Sequence, residues 1–451
     1  MRLVDDSSEH QSWGRFPTAR HRQIVRCSWL PAQIPAFEAP VLAYGKGRSY
    51  GDACLNDGGV LLDMAACDRF IDFDAADGLL TCEAGVTLET VIAVCLPRGW
   101  FLPVTPGTKF VTVGGAVAND VHGKNHHRAG TFGCHVRWLE LLRSDGSRIV
   151  CSPVQHADLF RATIGGLGLT GLITRVQFQL KPVRSSRVLL ERRAFASLQQ
   201  FFALTDASDQ EYEYTVAWVD CLSLRREKCR GIFIRGRHHD DGHFEPRPRG
   251  VRVDMPVTFP SWTMDRRAIK LFNALYFRAQ SRSQEPLLTD LDPFFYPLDA
   301  IGHWNRMYGR KGFVQYQFVI PTEAGREPLA RIFTEIGASG LGSFLAVLKL
   351  FGDVPSPGLL SFPMPGVTLA LDFPLHGGRT LALLDNLDEL VVAAGGRIYP
   401  AKDSRMSPHT FRRSFPMWHE LQRLKDPCFS SSLWRRVSNG SNASEMDGSD
   451  S

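Results

Sequence analysis

Lys402 lies in Tyr399-Pro400-Ala401-Lys402-Asp403-Ser404-Arg405, among hydrogen-bonding groups late in the chain. An ammonium can orient a hydroxyl and stabilise charge growing on its oxygen. It can take a proton only where burial and neighbouring cations lower its pKa. A lone lysine is ordinarily a solvated surface residue, so this one gains weight only from its company. That company is rich in glycine. Gly45-Lys46-Gly47-Arg48-Ser49-Tyr50-Gly51-Asp52 follows the apolar run 41–44 directly. Glycines let backbone approach an anion closely, and consecutive N–H groups form a concave nest for phosphate oxygens. A tight hairpin turn is the plainer reading. The side chains of Lys46, Arg48, Ser49 and Tyr50 among these glycines are more than a turn requires, so the loop is read as a phosphate cradle.

Residues 107–133, GTKFVTVGGAVANDVHGKNHHRAGTFG, are the most informative stretch. His122, His126 and His127 invite a zinc reading, but no carboxylate or thiol completes a ligand set, and no metal is expected. Gly114-Gly115-Ala116 would let backbone lie against a flat ring, with His122 and Asn125 able to hydrogen-bond it; the alternative is a glycine-rich Ω-loop. Gly166-Leu167-Gly168-Leu169-Thr170-Gly171 matches GxGxxG, and Glu191 lies twenty residues on, as in a Rossmann NAD site. The context contradicts that. ADLFRAT precedes the match where an apolar strand should stand, and a strand follows it. It is read as a loop against a cofactor.

Elements must hold these groups in place. Residues 41–64 read as strand, glycine-rich turn, strand. A strand and a helix share 79–96, with Thr87 as N-cap and Gly99 past the end. Loops and a short helix fill 101–135. Residues 136–150 form a hairpin turning at Asp145-Gly146. Along 172–180, Leu172, Thr174, Val176, Phe178 and Leu180 alternate with Ile173, Arg175, Gln177 and Gln179, which predicts a half-buried strand. From about residue 187 further strands (212–219, 231–235, 313–320, 367–374) alternate with helices near 323–338 and 380–394. The class is α+β in two domains, 1–186 and 187–396. The segment 397–437 has no allegiance fixed by pattern, and an apolar-poor tail at 438–451 is expected to be disordered.

A net charge of +5 over 451 residues argues against a polyanion-binding protein as a whole. The ten cysteines form no CxxC pair and read as reduced thiols. The N-terminus has no apolar h-region, and no run approaches the ~18 apolar residues of a spanning helix. A cytoplasmic protein is expected, with peripheral membrane contact. Residues 225–282 hold fourteen Arg or Lys against six Asp or Glu. These arginines form no recognised nucleic-acid module, and nucleic-acid binding would leave the glycine loops unexplained. Nearby, Phe259, Trp262, Phe272, Leu275, Tyr276 and Phe277 could line an apolar channel or form one face of a core helix.

GKGRSYGD, the 107–133 string, TIGGLGLTG and YPAKDSR, in this order, resemble the vanillyl-alcohol-oxidase family of enzymes with a PCMH-type FAD domain. Through HGKNHH, FVQYQFVIP, LKLFG and AKDSR the chain is more closely similar to the decaprenylphosphoryl-β-D-ribose 2-oxidases, flavin subunits of a ribose-to-arabinose epimerase. The resemblance implies a bipartite FAD domain, a substrate domain on an antiparallel sheet with helices, and the segment 397–437 returning to the flavin. It implies FAD held by Gly45, Lys46, Gly47, Arg48, Ser49, Tyr50 and Gly51 at the pyrophosphate. Gly107, Thr112, Val113, Gly114, Gly115, Asn119, His122, Ile173 and Tyr399 would line the flavin. Lys402 would stand at the reacting centre with Tyr50 and His122 as secondary candidates, and Gln315, Gln317 and Lys349 would face the substrate. A soluble alditol or aldonolactone oxidase is the alternative within the same family. Arg48 stands where several relatives tether flavin through histidine, which implies non-covalent FAD. Ala370 stands where actinobacterial members carry a pocket cysteine, which implies that thiol-directed inhibitors lose their target. The implied partners are a lipid-linked sugar and an NAD(P)H-dependent short-chain reductase that consumes the product.

Overall fold

The structure is a computed structural model that describes residues 2–4, 10–226, 228–244, 253–260, 264–283 and 285–438. The expected tail beyond residue 438, the Pro-rich part of 245–252 and Trp262 lie outside the described residues. Ser438 itself closes the helix Ser432–Ser438.

Three sheets organise the chain. The first is small, with Gln23–Arg26 and Val41–Tyr44 flanking Val60–Asp63, both parallel to it. The two runs in 41–64 therefore do not make a hairpin. Parallel neighbours need a crossover, and the glycine loop together with the short turn Asp52–Cys54 forms it. The second sheet orders Phe70–Asp74, Leu79–Glu83, Leu172–Gln179, Val136–Leu142 and Arg148–Cys151, all antiparallel. Its hairpin turns at Asp145-Gly146, where Gly146 takes φ +83° and Asp145 Oδ1 accepts from Ser147 N at 2.9 Å. Thr87 caps the helix Leu88–Cys95 by accepting from Thr90 N.

The strand Leu172–Gln179 departs from strict alternation. Pairing with Val136–Leu142 slips between Ile173 and Arg175, so Ile173 and Thr174 are both buried. The bulge gives one residue no partner and turns its neighbour. Ile173, which alternation groups with Arg175, Gln177 and Gln179, points into the molecule for this reason.

The third sheet carries eight strands: Leu287–Asp290, Arg187–Ser197, Lys228–His238, Tyr214–Val219, Ala346–Phe351, Gly366–Pro374, Phe313–Pro321 and Arg397–Ile398. Helices Glu327–Ser339 and Gly378–Ala393 cover one face, burying Leu329, Ile332, Phe333, Leu384, Leu387 and Val391 against it. The C-terminal segment joins this sheet through Ile398, opposite Phe318. It ends on the first sheet, where Val41 N donates to Cys428 O at 2.8 Å. Arg436 then bridges Asp52 (2.7 Å) and Asp403 (2.8 Å).

The helix Arg266–Arg282 contradicts both readings of its aromatic run. Phe272 and Leu275 face solvent, while Tyr276 packs on Trp218 at 4.7 Å. The buried face of this helix is instead held by Ile269 and Asn273.

Candidate active site

Three adjacent strands of the large sheet supply a polar face. Side chains alternate across a strand, so Val314, Tyr316, Phe318 and Ile320 enter the helix-covered core with Val367, Leu369, Leu371 and Phe373. The intervening positions point the other way. Gln315 lies opposite Asp372, Gln317 opposite Ala370, and Lys349 opposite Thr368. Gln315, Gln317, Lys349, Val347 and Ala370 line one cavity together with Lys46, Arg48, Tyr50, His122, Tyr399 and Lys402. The structure thus assembles groups separated by more than three hundred positions in sequence.

Most of the expected site residues border this cavity: Gly45 to Tyr50, Gly107, Thr112, Gly114, Gly115, Asn119, His122, Ile173 and Tyr399 among them. Two do not. Val113 is fully buried in the core beneath the cavity. Gly51 faces the 401–404 turn, where an added Cβ would sit 1.6 Å from Asp403 O. Its part is to let the loop close on that turn, so that Tyr50 N donates to Ala401 O at 2.9 Å. The GxGxxG match contributes Leu167, Gly168 and Gly171 to the wall and follows the helix Ala157–Thr163, so it is a loop against the cavity.

At the loop end, the N–H groups of Lys46, Gly47, Arg48 and Ser49 donate to no group among the described residues. Gly47 takes φ +59°, and a Cβ there would lie 2.1 Å from Tyr44 Oη. The helix Val113–Ala118, by contrast, has its N-terminus sealed. Gly114 N donates to Ala84 O (2.8 Å) and Gly115 N to Thr112 Oγ1 (3.1 Å). The N–H groups left open to an anion in this cavity are therefore those of the 46–49 loop, not those of the helix end. Arg48 lies between Trp13 and Phe110, 4.2 and 5.3 Å from their ring centres. Arg48 Nε, Asn119 Oδ1 and His122 Nδ1 are buried with no hydrogen-bond partner among the described residues. Buried polar atoms are costly when unpaired, so these fit a ligand rich in hydrogen-bonding atoms. A nest for diphosphate, glycines for close approach and orphaned polar groups along the wall are what FAD requires.

At the sheet end, Lys402 Nζ stands 3.7 Å from the centre of the Tyr50 ring. Burial pushes its pKa down to about 7, opposed by Asp372 and reinforced by Lys349. Asp372 is held by Gln315 Nε2 (2.5 Å) and Tyr308 Oη (3.0 Å), and burial pushes it up to about 6. Lys349 Nζ donates to Gly123 O at 3.4 Å, and burial lowers it to about 8. Burial drives His122 well below the usual histidine range, with Lys349 adding to the effect. Gln317 Nε2 donates to His122 Nε2 at 3.0 Å, which leaves the imidazole proton on the orphaned Nδ1. Burial and Asp372 raise Tyr50 well above the usual tyrosine value. Tyr50 and His122 are therefore neutral donors throughout the physiological range, and Lys402 is the candidate that titrates near neutrality.

His126 lies against Phe351 at 4.5 Å, and no group of three His, Cys, Asp or Glu among the described residues is arranged around a metal site. Asp372, Asp299, Trp13 and Trp304 border or support the cavity and were not anticipated. For Asp372 a signal existed, since an acid interrupts the apolar run of Gly366–Pro374. Asp299 and Trp304 come from an aperiodic stretch that carries no such mark.

Residues 32–152 match a protein family described as an FAD binding domain. The chain is 38% identical over 415 residues to the decaprenylphosphoryl-β-D-ribose oxidase of Mycolicibacterium smegmatis, covering 88% of this chain and 89% of that one. It is 36% identical to an uncharacterised Streptomyces coelicolor protein, over 78% of this chain and 100% of the other. An L-gulono-1,4-lactone dehydrogenase of Mycobacterium tuberculosis is 22% identical over 86% of both chains.

Proposed function

Because this chain belongs to the family of FAD-binding oxidoreductases that contains decaprenylphosphoryl-β-D-ribose oxidase, we propose that it oxidises the 2-hydroxyl of a polyprenylphosphoryl-β-D-ribose to the 2-keto sugar, the first half of an epimerisation to arabinose. The observation that carries this reading is the cavity that joins a phosphate nest at one end to Lys402, Lys349 and two glutamines at the other. When bound, FAD supplies the acceptor for the hydride that leaves the sugar carbon.

The remaining work falls to side chains. Residues 45–50 would hold the pyrophosphate, and Asn119, His122 and Tyr399 would meet the ring system. Arg48 makes cation–π contacts and offers no nucleophile, so the flavin is held non-covalently. Lys402, neutral in about half the molecules at pH 7, takes the hydroxyl proton. Tyr50 donates a hydrogen bond without ionising and holds the ammonium over its ring. Gln315 and Gln317 fix the sugar hydroxyls, each already oriented by Asp372 or His122. Lys349, desolvated and making no ion pair among the described residues, would gain an anionic partner in the substrate phosphate. The 2-keto product requires reduction by a separate NAD(P)H-dependent enzyme to give the epimer.

No described helix is long and apolar enough to cross a membrane. The competing reading is oxidation of a soluble alditol or aldonolactone, which the L-gulono-1,4-lactone dehydrogenase relative favours. Anaerobic mixing separates them: the lipid-linked ribose should bleach the flavin, and free alditols or lactones should not. Bleaching by the free compounds alone overturns the proposal. Acid precipitation should leave the yellow colour in the supernatant, and colour retained in the pellet would refute non-covalent binding.

A further inference from the structure

We propose that the helix Arg266–Arg282 docks the protein on an anionic bilayer, lying in the headgroup layer with its outer apolar stripe inserted. Ala268, Leu271, Phe272, Leu275 and Ala279 follow the i, i+3, i+4, i+7 spacing that makes one helical face. That face is bare: Leu271, Phe272 and Leu275 are 62%, 47% and 59% exposed. The opposite face is fastened down. Asn273 Nδ2 donates to Asp220 Oδ1 at 2.7 Å, and Ile269 is buried in the same apolar cluster as Trp304 and Tyr308. The stripe is thus held outward by a rigid attachment.

Charge selects the occupant. The helix carries Arg266, Arg267, Lys270, Arg278 and Arg282 and no acidic residue. On a helical wheel Arg267 and Arg278 border the stripe, and none of the five makes an ion pair among the described residues. A protein partner or a second copy would need acids to meet them, whereas this helix offers its own kind only cations. An apolar stripe flanked by basic residues suits the interface of an anionic membrane, where each cation adds attraction and the long stems snorkel. The helix also adjoins the cavity. Phe272 contacts the Phe344 ring at 5.4 Å, and the next residue, Leu345, lines the cavity with Trp304. Docking would hold the substrate end against the lipid surface. The proposal rests on the lipid-linked reading only for this last purpose.

Flavin-loaded protein is sedimented with phosphatidylcholine vesicles, with and without phosphatidylglycerol at about one third. Wild type should bind the anionic vesicles more tightly, and added salt should weaken binding. Leu271→Glu with Leu275→Glu should lower affinity for the anionic vesicles by about tenfold or more. Arg267→Gln with Arg278→Gln should erase most of the preference for phosphatidylglycerol. Both pairs should keep the flavin spectrum and its reduction rate in detergent. Wild-type protein that stays in the supernatant, or a Leu271/Leu275 variant that binds as wild type does, overturns the proposal. So does a wild-type dimer, seen by light scattering, that the leucine substitutions dissociate without changing vesicle binding. Vesicle binding without reduction by the lipid-linked ribose would instead sink the substrate assignment and leave docking standing.

Discussion

The rate of flavin reduction should rise with pH through about 7, because Lys402 must be neutral to take the substrate proton. An ordinary lysine would be neutral in about one molecule in three thousand at pH 7. Burial in the cavity brings that fraction to about one half, a gain of roughly three orders of magnitude in available base. The sign follows from the direction of the shift: a depressed pKa places the loss of base below neutrality, so activity falls on acidification. Between pH 8 and pH 6 the neutral fraction drops about tenfold. Stopped-flow reduction at saturating substrate, without oxygen, isolates this step from product release. Two variants give opposite displacements. Asp372→Asn removes the anion that raises the Lys402 pKa, so the inflection should move to lower pH. It also removes the second titration, that of Asp372 itself, pushed up to about 6. Lys349→Met removes a cation that lowers the Lys402 pKa, so the inflection should move up. A flat profile between pH 6 and 8, or displacement of both variants in one direction, would refute Lys402 as the base.

Lys402→Ala should keep FAD, since the nest lies at the other end of the cavity, and lose about two to four orders of magnitude in turnover. Lys402→Arg should fail as well, because a guanidinium remains protonated and its planar fork does not replace a compact ammonium; near-normal turnover in either removes the residue from the mechanism. Ala370→Cys should place a reactive thiol in the cavity and yield a covalent adduct with thiol-directed electrophiles, read by mass spectrometry. Wild type should give no adduct in the cavity, because Cys54, which also lines it, has its thiol pushed up to about 12 by burial. Cys134 and Cys428 are exposed, so adducts are mapped by peptide; equal labelling of the cavity peptides in both proteins contradicts this. Arg436→Met should cost about 3–5 kcal/mol, leaving Asp52 and Asp403 buried against each other without their shared cation. A guanidinium unfolding midpoint unchanged from wild type would show that this bridge does not hold the C-terminal segment.

Local chemistry carried most of what the sequence revealed. The glycine loop, the Thr87 cap and the Asp145-Gly146 turn each depend on a few neighbouring residues, and each is found in place. The resemblance, not periodicity, pointed to Gln315 and Gln317; in the structure they stand between apolar neighbours on one face of their strand. What failed depended on partners distant in sequence. Nothing in 41–64 tells a parallel crossover from a hairpin, because the neighbouring strand sets the direction. The bulge beside Ile173 arises from pairing with Leu141, not from its own segment. Gly51 was read as a cofactor contact because its string is glycine-rich, yet its closeness to Asp403 is fixed only when the 401–404 turn folds back. The stripe at Leu271 and Leu275 has the periodicity of a core helix, and periodicity cannot say whether a core or a membrane covers it.

The central claim is oxidation at the 2-position by hydride removal from carbon and proton removal by Lys402. Polyprenylphosphoryl ribose carrying deuterium at C2 tests it most directly. The account predicts that anaerobic flavin reduction is slowed relative to the unlabelled substrate and that the 2-keto product has lost the deuterium. Reduction at an unchanged rate, with deuterium retained in the product, would contradict it.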